Sequence, residues 1–259
     1  MKLALYHLDT FTSRVFAGNP AAVVPLEHWL DTHTLQAIAA ENNLSETAFL
    51  VGGGGQYEIR WLTPATEVDL CGHATLASAH VVMTSLEPGS TAVSFQSKSG
   101  PLMVTRDEDL LALDFPARPP QSLPAPEAVV MALGRKPREV WKARDVMAVF
   151  DGEEEVRALR PNQDQLAELE YFGVIATAPG QEVDFVSRFF APRQGVPEDP
   201  VTGSAHCTLV PYWARRLGKP RLHALQVSPR GGELLCEDRG DRVKIAGRVV
   251  PYLEGTIEI

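Results

Sequence analysis

Residues 61–76 read WLTPATEVDLCGHATL, and residues 189–206 read FFAPRQGVPEDPVTGSAH. In both stretches an aromatic strand ends at a proline, a loop carries acidic residues, and small polar residues then open an apolar helix. The N-terminus of a helix presents free backbone N–H groups and the positive end of the helix dipole, so it favours anions such as carboxylates. A chain that contains this arrangement twice is predicted to have two similar halves and to bind a small acidic molecule.

The segments around the two stretches repeat in the same order. Asp31 is a plausible N-cap for a helix that ends near Asn43, because a side-chain oxygen there accepts from free N–H groups. In the first half, strands are predicted at 3–8, 21–24, 45–51, 57–62, 93–95, 102–104 and 111–115, with a second helix after Gly72. In the second half, strands are predicted at 146–150, 174–178, 183–190, 225–227, 233–236 and 243–246, with helices at 165–169 and 206–214.

This pattern predicts an α+β fold of two pseudo-symmetric domains, each a mixed, largely antiparallel sheet wrapped around a central helix. The domains are predicted at residues 1–115 and 127–259, with a crossover of the first or last strand allowed. Residues 116–126 contain five prolines and are predicted to be a linker. The active site is expected in the cleft between the two domains.

Composition excludes several classes of function. A net charge of −9 with scattered acidic residues argues against a nucleic-acid surface. No apolar run approaches the roughly 20 residues of a membrane span. The three cysteines stand at unrelated spacings, which fits free thiols in a reducing compartment. We therefore expect a cytoplasmic protein whose partner is a small anionic substrate, with no contact to nucleic acid or membrane.

Glu46 is the first candidate for catalysis. It stands where the chain leaves a helix and enters the apolar strand Ala48, Phe49 and Leu50. A carboxyl group among apolar side chains exchanges its proton nearer to neutral pH, as a general acid or base requires. The corresponding stretch of the second half, residues 172–176, contains no acid. The alternative is an exposed glutamate at the edge of a strand.

The two helix starts supply the candidate binding residues. Asp199 and His73 are expected to face the common cleft across a pseudo-twofold axis. Hydroxyl and backbone donors for a carboxylate come from four further residues, Gly72, Thr202, Gly203 and Ser204. The alternative is that Asp199 is a helix cap and that His73 is a cap or a core histidine.

Cys71 has two further interpretations. It could form a nucleophile with His73, but side chains two residues apart rarely point at each other. It could also be one base of a two-base epimerase, but Cys207, the nearest cysteine in the second half, lies about a turn inside its helix. No metal is expected, because Cys71, His73, His206 and Cys207 lack the usual zinc spacings. No cofactor is expected either, because no phosphate-binding or nicotinamide-binding glycine loop is present.

Five motifs in order resemble the phenazine biosynthesis PhzF-like family, which has the diaminopimelate-epimerase-like fold. They cover nearly the whole chain, from residue 9 to about residue 214: DTFT with FAGNP at 9–20, SETAF at 45–49, RWLTP with Glu67 at 60–67, CGHAT at 71–75, and RFFAP with EDPVTGSA at 188–205. Asn19, in the first motif, is a further site candidate.

The resemblance implies a cofactor-independent isomerase that moves a proton between carbon atoms of a small acidic substrate. It implies that Glu46 is the general acid/base, that Gly72, His73, Asp199 and Ser204 line the pocket, and that the protein forms a homodimer. The sequence departs from the phenazine-pathway members at Cys71, which makes the phenazine precursor a doubtful substrate. Two other functions stay open, namely a two-base epimerase or racemase that uses Cys71 and a non-catalytic binding protein.

Overall fold

The computed structural model describes residues 1–259, which form eighteen strands and six α-helices. The strands are β1 Lys2–Thr10, β2 Asn19–Leu26, β3 Glu46–Gly53, β4 Gln56–Leu62, β5 Glu67–Val68, β6 Ala92–Ser97, β7 Gly100–Asp107, β8 Leu110–Pro116, β9 Gln121–Leu123, β10 Glu139–Lys142, β11 Val146–Val149, β12 Val174–Pro179, β13 Phe185–Ala191, β14 Val196–Asp199, β15 Arg221–Gln226, β16 Gly232–Asp238, β17 Arg242–Gly247 and β18 Val249–Glu258. The helices are α1 Thr32–Asn42, α2 Gly72–Val81, α3 Glu127–Leu133, α4 Glu153–Ala158, α5 Gln163–Glu168 and α6 Gly203–Leu217.

The chain divides into two units. The first comprises Met1–Asp114 and Ala246–Ile259, and the second comprises Phe115–Ile245. The N-terminal segment of the first unit ends at Asp114, and the C-terminal strand, for which the sequence analysis allowed a crossover, lies in the first unit. There β18 pairs antiparallel with β1 along its length. Sequence patterning did not predict β18, because most of its side chains are exposed and no buried face imposes an alternation.

Strand pairing confirms the predicted duplication. In the first unit β2 runs parallel to β3, β3 antiparallel to β4, and β4 is flanked by antiparallel β5 and parallel β6. In the second unit β11 to β15 repeat these pairings in the same order. The repeat includes two further strands in each unit. In the first unit β1 pairs with both β2 and β18, and in the second unit β10 pairs in the same way with both β11 and β9.

The central helix of the first unit is α2. Its sequence, GHATLASAHV, has small and apolar residues on every side, which is typical of a helix buried on all faces. The structure shows this, because eight of its ten residues are buried. Helix α1 lies on the outside of the same unit and places Leu35, Ile38 and Ala39 against Phe49 and Leu62. Its predicted caps are confirmed, with Asp31 accepting from the N–H of Thr34 and Asn43 in the left-handed conformation.

The central helix of the second unit is α6, which is buried from Ala205 to Ala214 and contains Pro211. Proline has no N–H, so the carbonyl of Cys207, one turn earlier, has no partner within the helix. The N–H of Arg118 donates to that carbonyl at 2.8 Å. Residues 116–126, predicted to be a linker, are therefore an integral part of the second unit, and β9 within them pairs with β10.

The remaining core of the second unit is formed by three short helices against its strands. Helices of six or seven residues give too few turns for a clear apolar period, so the sequence analysis missed α3 and α4. It predicted α5 from its place in the duplicated order, where it matches α1. Their buried residues Val129, Leu133 and Val156 pack with Val174 and Phe190. None of the helices combines the length and the hydropathy that a membrane-spanning helix needs.

Candidate active site

Glu46, Cys71 and His73 come together in the first unit. Glu46 is the first residue of β3, and its side chain is 16% exposed. Its Oε2 lies 2.9 Å from Nε2 of His73, whose side chain is 7% exposed. Glu46 is therefore not the exposed strand-edge glutamate of the alternative interpretation. It forms a largely buried pair with a histidine that the sequence analysis placed in the site.

The contact between Cys71 and His73 corrects the sequence analysis. Sγ of Cys71 lies 3.6 Å from Nδ1 of His73 and 4.0 Å from Nε2. Cys71 is the N-cap of α2 and has extended backbone angles, φ −141° and ψ 112°, whereas His73 already belongs to the first helical turn. The change from extended to helical backbone turns the two side chains to the same side, and Glu46 is the third group beside them.

Electrostatics in this cluster favour a charged histidine and an uncharged thiol. Burial alone lowers the pKa of His73, but the sulfur of Cys71 and the carboxylate of Glu46 raise it by more, so the pKa lies well above its ordinary value. Burial, followed by the nearby Glu46 carboxylate, raises the pKa of the Cys71 thiol to about 11. Near neutral pH these two shifts favour a protonated imidazole ring at His73 and a protonated thiol at Cys71.

Asn19 is the fourth member of the cluster. Its side-chain nitrogen Nδ2 lies 3.2 Å from Nδ1 of His73, and the whole residue is buried. Asn19 follows Gly18, which has φ +66°, and a Cβ at residue 18 would lie 2.0 Å from the carbonyl oxygen of Thr10. Only glycine fits this turn. Gly18 thus allows the approach of β2 to β1 that brings Asn19 to the histidine.

The counterpart of Glu46 in the second unit is a glycine. Leu62 and Phe190 occupy matching positions in the duplicated motif. Leu62 pairs with Thr47, the residue after Glu46, and Phe190 pairs with Val174. The residue before Val174 is Gly173, and a Cβ on it would lie 2.3 Å from Cζ of Phe189. An aromatic ring therefore fills the space that a side chain would need. The acid exists in one half only, as the sequence predicted.

The predicted residues of the second unit cluster around the start of α6. Thr202 Oγ1 donates to Oδ2 of Asp199 at 2.6 Å, and Thr202 is the N-cap of the helix. Asp199 therefore contacts the cap residue and is not itself the cap. Gln226, which is 1% exposed, accepts from the N–H of Thr202 at 2.8 Å and donates to the carbonyl of Asp199 at 2.8 Å. Gly203 and Ser204 follow as the first two helical residues.

Arg144 and Gln226 contact the predicted site residues of the second unit, and the sequence analysis missed both. Nη2 of Arg144 donates to Oγ of Ser204 at 3.1 Å, and its guanidinium lies over the ring of Phe172 at 4.0 Å. Nε of Arg144 lies 3.5 Å from the fully buried carboxylate of Asp145. A signal was present in the sequence, since the pair Arg144 and Asp145 directly precedes the buried strand β11. Gln226 gave no signal, because it stands alone at the end of β15.

The residues that could hold a metal differ from those considered in the sequence analysis. His206 and Cys207 belong to the second unit and are buried along α6. The donors that come together are instead a carboxylate oxygen of Glu46, Sγ of Cys71 and a ring nitrogen of His73, all within 4.8 Å of one another. Spacing along the chain could not show this, because Glu46 lies 25 residues before Cys71 and 27 residues before His73.

His206 gives a pH-dependent stability that can be measured. It is fully buried, its Nδ1–H donates to the carbonyl of Thr202 at 2.8 Å, and burial lowers its pKa to about 4. The unfolded chain takes up this proton near pH 6.5, but the folded chain takes it up only near pH 4. The free energy of unfolding should therefore fall as the pH decreases from 6.5 to about 4, by about 3 kcal/mol in total.

Urea unfolding at several pH values from 7 to 4 measures this effect. The variant His206→Asn keeps an amide donor for Thr202 and should lose the corresponding part of the pH slope. His28→Gln, at a side chain that is 87% exposed, is the control and should keep it. A pH slope in His206→Asn that equals the slope of the wild type would contradict the prediction.

The comparisons agree with this fold. Residues 8–255 match the sequence profile described as phenazine biosynthesis-like protein. An uncharacterized isomerase of Pseudomonas aeruginosa is 51% identical over 259 residues, which is the whole of both chains. A crystal structure of a phenazine biosynthesis protein of the PhzF family from Enterococcus faecalis has a TM-score of 0.97 at 46% identity and covers the whole of both chains.

A more distant likeness concerns the fold alone. A hydroxyproline epimerase from Agrobacterium vitis has a TM-score of 0.62 at 10% identity, covering 99% of this chain and 92% of that chain. Together the duplicated sheet and the shared architecture define the epimerase-like class of α+β proteins. The chain belongs to the phenazine biosynthesis-like, or PhzF, family. The predicted family and fold are confirmed, and so is the enzyme class, an isomerase, by the name that the close relative carries.

Proposed function

We propose that this isomerase uses the Glu46 carboxylate to move a proton between two carbon atoms of a small acidic substrate, an amino or enol acid. The observation that supports this most strongly is the pair of Glu46 and His73 at 2.9 Å, in a position where the duplicated half has a glycine. A scaffold that repeats strand for strand but carries the acid once favours a single base over two symmetric ones.

The proposed chemistry balances without a redox partner. Glu46 accepts a proton from one carbon, the electrons of the broken C–H bond enter the conjugated system of the substrate, and the resulting carboxylic acid returns the proton to a second carbon. An imidazolium at His73 pairs with the carboxylate before the transfer and orients it. The reaction leaves the number of electrons in the substrate unchanged, so it requires no redox cofactor.

We propose that the substrate is bound by residues from both helix starts, namely Gly72, His73, Asp199, Thr202, Gly203 and Ser204. The free N–H groups at the starts of α2 and α6 suit a carboxylate. The hydroxyls of Thr202 and Ser204 are oriented by Asp199 and Arg144, respectively. The predicted homodimer and the cytoplasmic location stay predictions.

A screen for solvent deuterium exchange tests this function. Amino acids and cyclic dienyl acids are incubated with the protein in deuterated buffer and analysed by mass spectrometry. At least one compound is expected to gain deuterium, because a proton held by a carboxyl group exchanges with solvent between removal and return. If no compound of either class exchanged, a non-catalytic binding protein would be favoured instead.

A two-base epimerase is the second candidate, because Cys71 lies in the same cluster as Glu46. In that mechanism the thiol donates a proton to one face of a stereocentre while Glu46 removes a proton from the other. Inversion at a stereocentre that is lost in Cys71→Ser would establish it. Isomerisation that persists in Cys71→Ser would support Glu46 as the single base. A two-base epimerase also needs the thiolate as base when the reaction runs in the other direction, and the pKa of about 11 leaves little Cys71 thiolate near neutral pH, which favours the latter result.

A further inference from the structure

Both units contain the same arginine–glutamate ion pair. In the first unit, Nε and Nη2 of Arg60 donate to Oε1 and Oε2 of Glu67 at 2.8 and 2.9 Å. In the second unit, Nε and Nη2 of Arg188 donate to Oε1 and Oε2 of Glu198 at 2.7 and 2.8 Å. Two parallel hydrogen bonds of this kind fix direction as well as distance. All four residues belong to the duplicated motifs, and the proposed proton transfer uses none of them.

The two pairs occupy the same place in the fold. Arg60 lies on β4 and Arg188 on β13, and each glutamate lies on the short strand that follows, β5 or β14. The chain continues from β5 into the start of α2 and from β14 into the start of α6. Each pair therefore ties the segment before a central helix to the sheet of its own unit. This repeated placement indicates a common role in positioning the helix starts.

Arg188 is anchored in the second unit by further contacts. Its side chain is 8% exposed, and its Nη1 donates to the carbonyls of Val156 and Leu159 at the end of α4, at 3.2 and 2.9 Å. Burying two charges costs free energy that their attraction does not always return, and apolar side chains in their place are often as stable. Stability alone is therefore a weak reason for a buried pair, whereas a fixed geometry is a sufficient one.

Glu198 directly precedes Asp199, one of the proposed binding residues. Successive side chains of a strand point to opposite faces, so Glu198 reaches Arg188 while Asp199 accepts from Oγ1 of Thr202 at 2.6 Å. The backbone of β14 pairs with β13 at only two positions, and the register shifts between them. Gln226 donates to the carbonyl of Asp199 from β15. The ion pair and Gln226 thus supply the side-chain bonds that hold this short segment.

We propose that Arg188 and Glu198 are positioning residues for substrate binding. Their two parallel hydrogen bonds hold β14 so that Asp199 and the N-cap Thr202 keep the geometry that binds the substrate. The inference rests on the proposed function, because it takes Asp199 and Thr202 as binding residues. Glu46 belongs to the other unit. Loosening the ion pair should therefore weaken binding and leave the proton transfer unchanged.

The variant Glu198→Gln tests this inference. Glutamine has the shape of glutamate and leaves Arg188 bonded to the two carbonyls, but its NH2 group cannot accept from Nη2. For a compound found in the exchange screen, KM should rise roughly 10- to 100-fold, because a displacement of about 1 Å far from the chemistry can cost 10²-fold. The value of kcat should stay unchanged. An unchanged KM, with or without a lower kcat, would overturn the proposal.

Hydrogen–deuterium exchange measures the positioning without a substrate. Backbone amides of residues 196–204 should exchange faster in Glu198→Gln, because the segment opens locally more often. Glu237→Gln is the matched control, since Glu237 accepts from two nitrogens of Arg239 at 3.2 and 2.9 Å at the surface of the same unit. It should change neither this exchange nor KM. Unchanged exchange at 196–204 in Glu198→Gln would overturn the proposal even where no substrate is known.

A second variant, Glu198→Asp, covers the case in which Glu198→Gln does not fold. Aspartate keeps a negative charge beside the buried Arg188, but it is shorter by one CH2 group and cannot make both bonds from the same backbone position. KM and the exchange at 196–204 should again increase while kcat is kept. Urea unfolding of each variant shows whether the fold is intact.

The two proposals fail in different ways. If Glu198→Gln raises KM but Glu46→Gln keeps full turnover, then the positioning role stands and the proposed base is wrong. If Glu46→Gln loses turnover but Glu198→Gln leaves KM and the exchange unchanged, then the base stands and the positioning role is wrong.

Discussion

Replacing Glu46 by glutamine is expected to reduce turnover by roughly 10²- to 10⁴-fold, the range that a positioned general acid or base contributes. Glutamine has the same shape as glutamate, and its oxygen can still accept from Nε2 of His73. It cannot take up and return a proton, however. Affinity for a carboxylate ligand should therefore change little, because that ligand is proposed to bind at the helix starts and not at Glu46.

The measurement is the rate of deuterium incorporation into a substrate found in the exchange screen, together with Kd for an unreactive carboxylate analogue. Glu41→Gln removes a carboxylate from exposed α1 and serves as the control for net charge. Urea unfolding of each variant separates a loss of chemistry from a loss of fold. Full turnover in a folded Glu46→Gln variant would rule out Glu46 as the base.

Features that depend on local pattern could be predicted from the sequence. The duplicated motif predicted the order of the longer strands in both halves but missed β5, β9, β10, β14 and β18. The caps of α1 at Asp31 and Asn43 followed from residue type alone. The asymmetry at Glu46 was visible as well, because the matching segment lacks an acid. The structure adds the reason, since the ring of Phe189 fills the space beside Gly173.

Features that depend on contacts across the fold could not be predicted. Cys71 and His73 are two residues apart, and whether they meet depends on backbone angles at the helix start that residue types do not specify. Gln226 holds Asp199 and Thr202 from a different strand, 24 residues beyond Thr202. The proline-rich segment resembled a linker because its contacts are with residues distant in the sequence, namely the bond from Arg118 to Cys207, which fills a gap that Pro211 creates, and the pairing of β9 with β10.

Replacing Trp213 by alanine is expected to lower the free energy of unfolding by about 3–5 kcal/mol, the usual cost of truncating a buried aromatic residue. Trp213 is 1% exposed and stacks on Phe185 with ring centroids 5.7 Å apart and planes 4° apart. Its Nε1–H donates to Oγ1 of Thr177 at 3.0 Å. The substitution removes this donor and leaves a cavity between α6 and the sheet of the second unit.

A loss of that size is a large part of the 5–15 kcal/mol that a typical domain has in total. Urea unfolding with matched variants tests its origin. Trp213→Phe keeps an aromatic ring against Phe185 but lacks the N–H, so it should lose less than half as much. Trp29→Ala removes a half-buried tryptophan that donates to Glu58 at the surface of the first unit, and it should also lose less. Equal losses in Trp213→Ala and Trp29→Ala would contradict the argument. The loss in the free energy of unfolding is attributed to the close packing around α6, which a half-buried tryptophan at the surface does not share.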